Sequence, residues 1–121
     1  MTEAQEQIAL IKRCQFSGNP ILRDYIFSIP NGGSRHKLEA VNLGKQGIMP
    51  GVSDLMLFYP VAPYHGLFLE MKRRFPIKGQ ISTKQKEFMR KAAKVGYATE
   101  VAYGWEEGYI KLVEYLEGKD S

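Results

Sequence analysis

Two short stretches of this chain concentrate groups that could do chemistry: Pro50-Gly51-Val52-Ser53-Asp54 and, further on, Glu70-Met71-Lys72. The second lies inside Leu67-Phe68-Leu69-Glu70-Met71-Lys72, a run too apolar for an exposed strand. A buried charge is costly unless it is paired or binds a metal. Two acids and a lysine sent to one place therefore point to a catalytic metal site. Mg²⁺ and Mn²⁺ prefer oxygen ligands, often one or two carboxylates with water and substrate phosphate completing the shell. Asp54 and Glu70 fit that need, and the backbone carbonyl of Met71 is a plausible third ligand. Lys72 shares a strand face with Glu70 by the period of two. There it could orient an attacking water and offset the negative charge of a phosphoryl-transfer transition state. A Glu-x-Lys pair alone is common in alternating strands; the apolar run around it and the Pro-Gly turn before Asp54 give it weight.

Other candidates carry two readings each. Gln85 ends Ser82-Thr83-Lys84-Gln85, a capping box in which Ser and Gln satisfy each other's backbone donors, and it also falls where the inward stripe of its helix expects a hydrophobe. The cap role and the site role weigh equally and are compatible. Glu3 is the candidate acid of the first helix, because Gln7 one turn on shares its face; Glu6 competes with it, since the helix dipole favours any first-turn acid. Asn31, Arg35 and His36 follow a strand end in a Gly-rich loop suited to phosphate contacts, although Asn31 reads more simply as a turn residue. No Walker A spacing is present. His36 and His65 read as ordinary loop or cap residues, and Trp105 as core.

Charge is distributed unevenly. Residues 72–94 carry nine Lys or Arg against the single acid Glu87, while the rest of the chain sums to −4. Such a block suits a polyanionic substrate, with Arg73, Arg74, Lys78 and Lys84 as the phosphate-contacting cations; its alternative is a solvated helix face. At 121 residues, 44% hydrophobic and 25% charged, the chain is expected to form one globular domain, residues 1–121. No apolar window approaches the length of a membrane helix and the N-terminus is acidic, so a cytoplasmic protein is expected. Cys14 with two separated histidines offers no zinc spacing.

The elements that must position these residues follow from periodicity and turn chemistry. Helices are expected over Glu3–Phe16 (with Ile8, Leu10 and Ile11 recurring near its period), Arg35–Lys45, Ser82–Val95 (inward stripe Gln85, Phe88, Met89 and Ala92) and Trp105–Leu116 (anchored by Ile110, Leu112, Val113 and Leu116). Strands are expected over Asp24–Ile29, Asp54–Tyr59, Leu67–Arg73 and Tyr97–Tyr103. The Asp54 strand is apolar on both faces and should be central.

The set Gly47-Ile48-Met49-Pro50-Gly51-Val52-Ser53-Asp54-Leu55, Gly66 to Lys72, Ser82-Thr83-Lys84-Gln85 and Gly96-Tyr97 resembles the virus-type replication-repair nuclease (VRR-NUC) domain of the PD-(D/E)XK nuclease superfamily. Glu3 to Gln7 is similar to that family's N-terminal helix, and Pro30-Asn31-Gly32-Gly33 with Arg35 to its loop after the first strand. Ser53 stands where the family more often has Pro. The resemblance implies an α/β restriction-endonuclease-like core, a central mixed sheet flanked by helices. It also implies a Mg²⁺- or Mn²⁺-dependent endonuclease of branched DNA, like a Holliday-junction resolvase, acting as a homodimer in phage or prophage DNA repair. Asp54 and Glu70 would hold metal and Lys72 would be the catalytic lysine, with Glu3 and Gln85 completing the site. The competing readings are a catalytically inactive nucleic-acid-binding module and an interaction subunit of a phage complex that docks through the acidic last helix.

Overall fold

A computed structural model of the chain describes residues 1–30, 44–74 and 79–119. Asn31, Arg35, His36, Lys78 and nearly all of the helix expected over 35–45 lie outside the described residues.

The first helix, α1 (Glu3–Gln15), starts from a capping box: Thr2 Oγ1 accepts from Gln5 N–H at 3.1 Å, and Gln5 Oε1 accepts from Thr2 N–H at 2.8 Å. Glu6, Leu10 and Cys14, four apart, form its buried stripe. Ile8 does not belong to that stripe. It lies two residues, roughly 200° of helix rotation, from Leu10 and is 67% exposed. A short helix not anticipated from periodicity follows, α2 (Pro20–Asp24), capped by Asn19 Oδ1 on Ile21 N–H at 2.9 Å, with Pro20 at its first position. The strand expected from Asp24 is thereby shortened to β1 (Ile26–Ser28).

β2 (Leu55–Leu57), β3 (Leu67–Lys72) and β4 (Ala98–Tyr103) complete a four-stranded sheet of order β1-β2-β3-β4. The first two pairings are antiparallel and β3–β4 is parallel. β2 is interior, as its two apolar faces require. The parallel step needs a crossover, which α3 (Thr83–Lys94) supplies, and α4 (Trp105–Leu116) closes the described chain. The result is an α/β fold with a mixed sheet flanked by helices.

Alternation along β3 sorts its residues. Leu67, Leu69 and Met71 enter the core with Leu10, Cys14, Leu22, Leu55, Leu57, Leu112 and Tyr115 beneath α1 and α4, while Phe68, Glu70 and Lys72 face the α3 side. α1 and α4 approach closely at Gly108, where a Cβ would stand 2.9 Å from Leu10 Cδ2. Ile110 does not anchor α4: it is 55% exposed, half a turn away from the buried Leu112. Among the described residues no helix is long and apolar enough to cross a membrane.

Candidate active site

Asp54 immediately precedes β2, and its carboxylate reaches across the end of the β2–β3 pairing. Oδ2 accepts from the Met71 backbone N–H at 2.8 Å. The last paired residues there are Leu55 and Leu69, so Met71 extends beyond its antiparallel partner strand. In a strand the N–H and C=O of one residue face the same edge; the Met71 carbonyl therefore faces the edge on which Asp54 sits. Lys72, one residue on, points its carbonyl to the other edge and accepts from Gly104 N–H at 3.0 Å.

Glu70 is 2% exposed. Its Oε2 accepts from Gln85 Nε2 at 3.1 Å, and Gln85 Oε1 simultaneously accepts from Ser82 N–H at 2.9 Å. The capping box and the site contact are thus one side chain used at both ends. Among the described residues, none donates a hydrogen bond to the buried Glu70 Oε1. Burial, and after it the neighbouring Asp54 carboxylate, push the Glu70 carboxyl up to about 9, with Lys72 opposing. Lys72 is buried alongside, its Nζ 3.9 Å from Glu3 Oε2.

The loop carrying Asp54 is seated directly on the first turn of α3. Gly51 has φ +83°, and a Cβ there would collide with the Lys84 carbonyl and come within 2.8 Å of Gln85 N. Only a glycine permits both the left-handed backbone and that approach. The contact holds the Asp54 loop against the helix start that carries Gln85.

Glu3 is placed against Lys72 rather than with the two other acids: among the described residues no group of three or more His, Cys, Asp or Glu side chains closes on one point. Glu6 takes a different part. It is 1% exposed, accepts from Trp105 N–H at 3.0 Å and pairs with Arg74 Nε at 3.4 Å. Arg74 also meets Glu106 Oε1 at 2.6 Å. Its guanidinium is thus engaged between α1 and α4, in contrast to the phosphate-contacting role expected of it. Arg73 and Lys84 are exposed beside the site, Lys84 with Glu87 at 3.7 Å. Trp105 packs on the core as expected, and the His65 ring lies edge-on to Tyr97 at 5.5 Å, away from the acids.

Sequence reasoning missed the structural use of Glu6. The signal was available: the Thr2-x-x-Gln5 box sets the start of α1, and Glu6, Leu10 and Cys14 then share one face.

The donors present suit a divalent cation. Two adjacent carboxylates, one with a buried oxygen that no described residue donates to, and a carbonyl on the same strand edge make an oxygen-only set too small to fill an octahedral shell, whose other positions would fall to water and phosphate. Nothing in it resembles a closed thiolate or imidazole cage.

No protein-family model matches the chain, and no curated protein does. A solved structure described as a VRR_NUC domain protein matches it at a TM-score of 0.82 and 28% identity, covering 99% of this chain and 92% of the other. The chain therefore has the restriction-endonuclease-like fold of a VRR-NUC nuclease domain, the family its motifs resemble.

Proposed function

We propose that this protein is a Mg²⁺- or Mn²⁺-dependent endonuclease that hydrolyses phosphodiester bonds in branched DNA, resembling a Holliday-junction resolvase and working as a homodimer. The observation that carries the reading is the buried, donorless Glu70 Oε1 beside Asp54 and Lys72. A binding module would gain nothing from burying adjacent acids where a phosphate must approach.

Asp54, Glu70 and the Met71 carbonyl would hold the ion, which when bound polarises the phosphate and lowers the pKa of water. The chain's own groups do the rest. Met71 N–H fixes the Asp54 carboxylate, and Gln85 fixes Glu70 by one oxygen, leaving the other available. The buried Lys72 ammonium lies 3.9 Å from Glu3 Oε2 and can turn a donor toward the attacking water and the charge developing on the phosphate. Arg73 and Lys84, exposed beside these groups, would carry flanking phosphates. Branch preference and dimer action follow from the resemblance to VRR-NUC proteins, whose small stand-alone members have the size of junction resolvases.

The test is cleavage of labelled linear duplex, single strand, flap and four-way junction in Mg²⁺, Mn²⁺ and EDTA, with Asp54→Ala, Glu70→Ala and Lys72→Ala alongside. Paired symmetric nicks in the junction, abolished by EDTA and by each substitution, are expected. Wild-type turnover retained in any of the three overturns the site. Cutting confined to flaps or single strands removes the resolvase reading, and absence of any cutting favours the inactive binding module.

A further inference from the structure

The β3 face that carries Glu70 and Lys72 continues one strand repeat back to Phe68, and there the surface changes character. Phe88 of α3 meets Phe68 edge-on at 5.0 Å, and Tyr97 lies against it at 5.2 Å. Together with Ala92 these rings floor an open pocket of about 360 Å³, with Met49 and Lys91 at its lip. Met49 is 45% exposed, on the loop whose Gly51 abuts α3. On its other side Met49 shares with Phe88, Lys84 and Lys91 a smaller hollow of about 130 Å³ beside the helix start that bears Gln85; Glu87 also lines it, paired with Lys84 at 3.7 Å.

We propose that the larger pocket seats an unpaired nucleobase of the DNA strand whose adjoining phosphate lies at Asp54 and Glu70. The inference rests on the nuclease reading above and adds a specificity site to it. An aromatic floor with a cationic lip, opening beside a phosphate-processing centre, fits a ligand with a flat apolar face joined to an anion. The volume lies within the range of ligand pockets, roughly 300 to 1,000 Å³, and is ample for one ring system. Stacking on aromatic side chains accepts any base, while Lys91 and Lys84, two turns apart on α3, supply charge for the flanking phosphates. A base enters only after leaving its stack, so the pocket favours DNA with single-stranded nucleotides beside the cut over continuous duplex.

The test begins by mapping the cut made by the wild-type protein. Flapped and fully paired DNA carrying 2-aminopurine at successive positions around that cut is then titrated with protein bearing Lys72→Ala. A rise in fluorescence confined to one position next to the scissile phosphate of flapped DNA is expected, as the base leaves its stack. Adding Phe88→Leu should abolish that rise and weaken flap binding about tenfold, within the range for losing one stacked base, with duplex binding unchanged. Met49→Glu, at an exposed position, should weaken flap binding more than duplex binding without disturbing the packed rings. Cleavage and binding that proceed with no position brightened, or substitutions that weaken both substrates equally, overturn the base pocket and leave the nuclease standing. A wild-type protein that neither binds nor cuts any DNA overturns both.

Discussion

Removing the proton that Glu70 holds without metal gives a quantitative test of the site. The carboxyl is pushed from 4.5 up to about 9 by burial and by Asp54. Between those values the native protein keeps a proton that the unfolded chain has released. Stability then falls as pH rises, because its slope follows the protons bound by the unfolded state minus those bound by the native one. Each pH unit in that window costs up to about 1.4 kcal/mol; from pH 5 to pH 7 the loss is roughly 2–3 kcal/mol, or on the order of 10 °C in melting temperature for a domain of this size. Glu70→Gln removes the titration and can still accept from Gln85. Urea and thermal unfolding of wild type and Glu70→Gln, in EDTA from pH 5 to pH 8, should show the variant gaining on the wild type by that amount between pH 5 and pH 7, and further by pH 8. At pH 8, Mn²⁺ should then restore the wild type and leave the variant unmoved, since metal displaces the proton and binds only the native site. A wild-type to variant gap that is constant with pH, or one that moves in the wild type's favour as pH rises, would refute the reasoning.

Other substitutions separate positioning from chemistry. Glu6→Ala leaves the Trp105 N–H without its acceptor and Arg74 with Glu106 alone, so urea unfolding should show a loss of about 2–3 kcal/mol, less for Glu6→Gln, which keeps an acceptor. Gly51→Ala forces a side chain into the first turn of α3 from a left-handed backbone; we expect about 1–3 kcal/mol of destabilisation and at least a tenfold fall in kcat, and wild-type kcat would show that the contact does not hold Gln85 in register. Ser53→Ala removes a buried hydroxyl that has no partner among the described residues and should stabilise the protein by about 1 kcal/mol in the same assay, with cleavage unchanged.

Local rules were enough to place many of the candidate groups from sequence. Period-two alternation put Glu70 and Lys72 on one face of β3 and sent Leu67, Leu69 and Met71 to the other. The Ser82 capping box located the start of α3, and hence Gln85, while the Pro-Gly turn located Asp54 at the head of its strand. These features depend on neighbours within a few residues, so pattern alone determines them. Tertiary packing decided the rest. Glu3 and Glu6 share one first turn, and only the docking of α1 on β3 and α4 puts Glu3 at Lys72 and buries Glu6 under Trp105. Arg74 reads as one more cation of a basic run until α1 and α4, from opposite ends of the chain, bring Glu6 and Glu106 to it. Likewise the steric need for glycine at position 51 comes from a helix more than thirty residues away. Periodicity assigns each side chain to a face of its own element, but which groups meet across elements depends on their docking angle and depth, and those are set by the core as a whole.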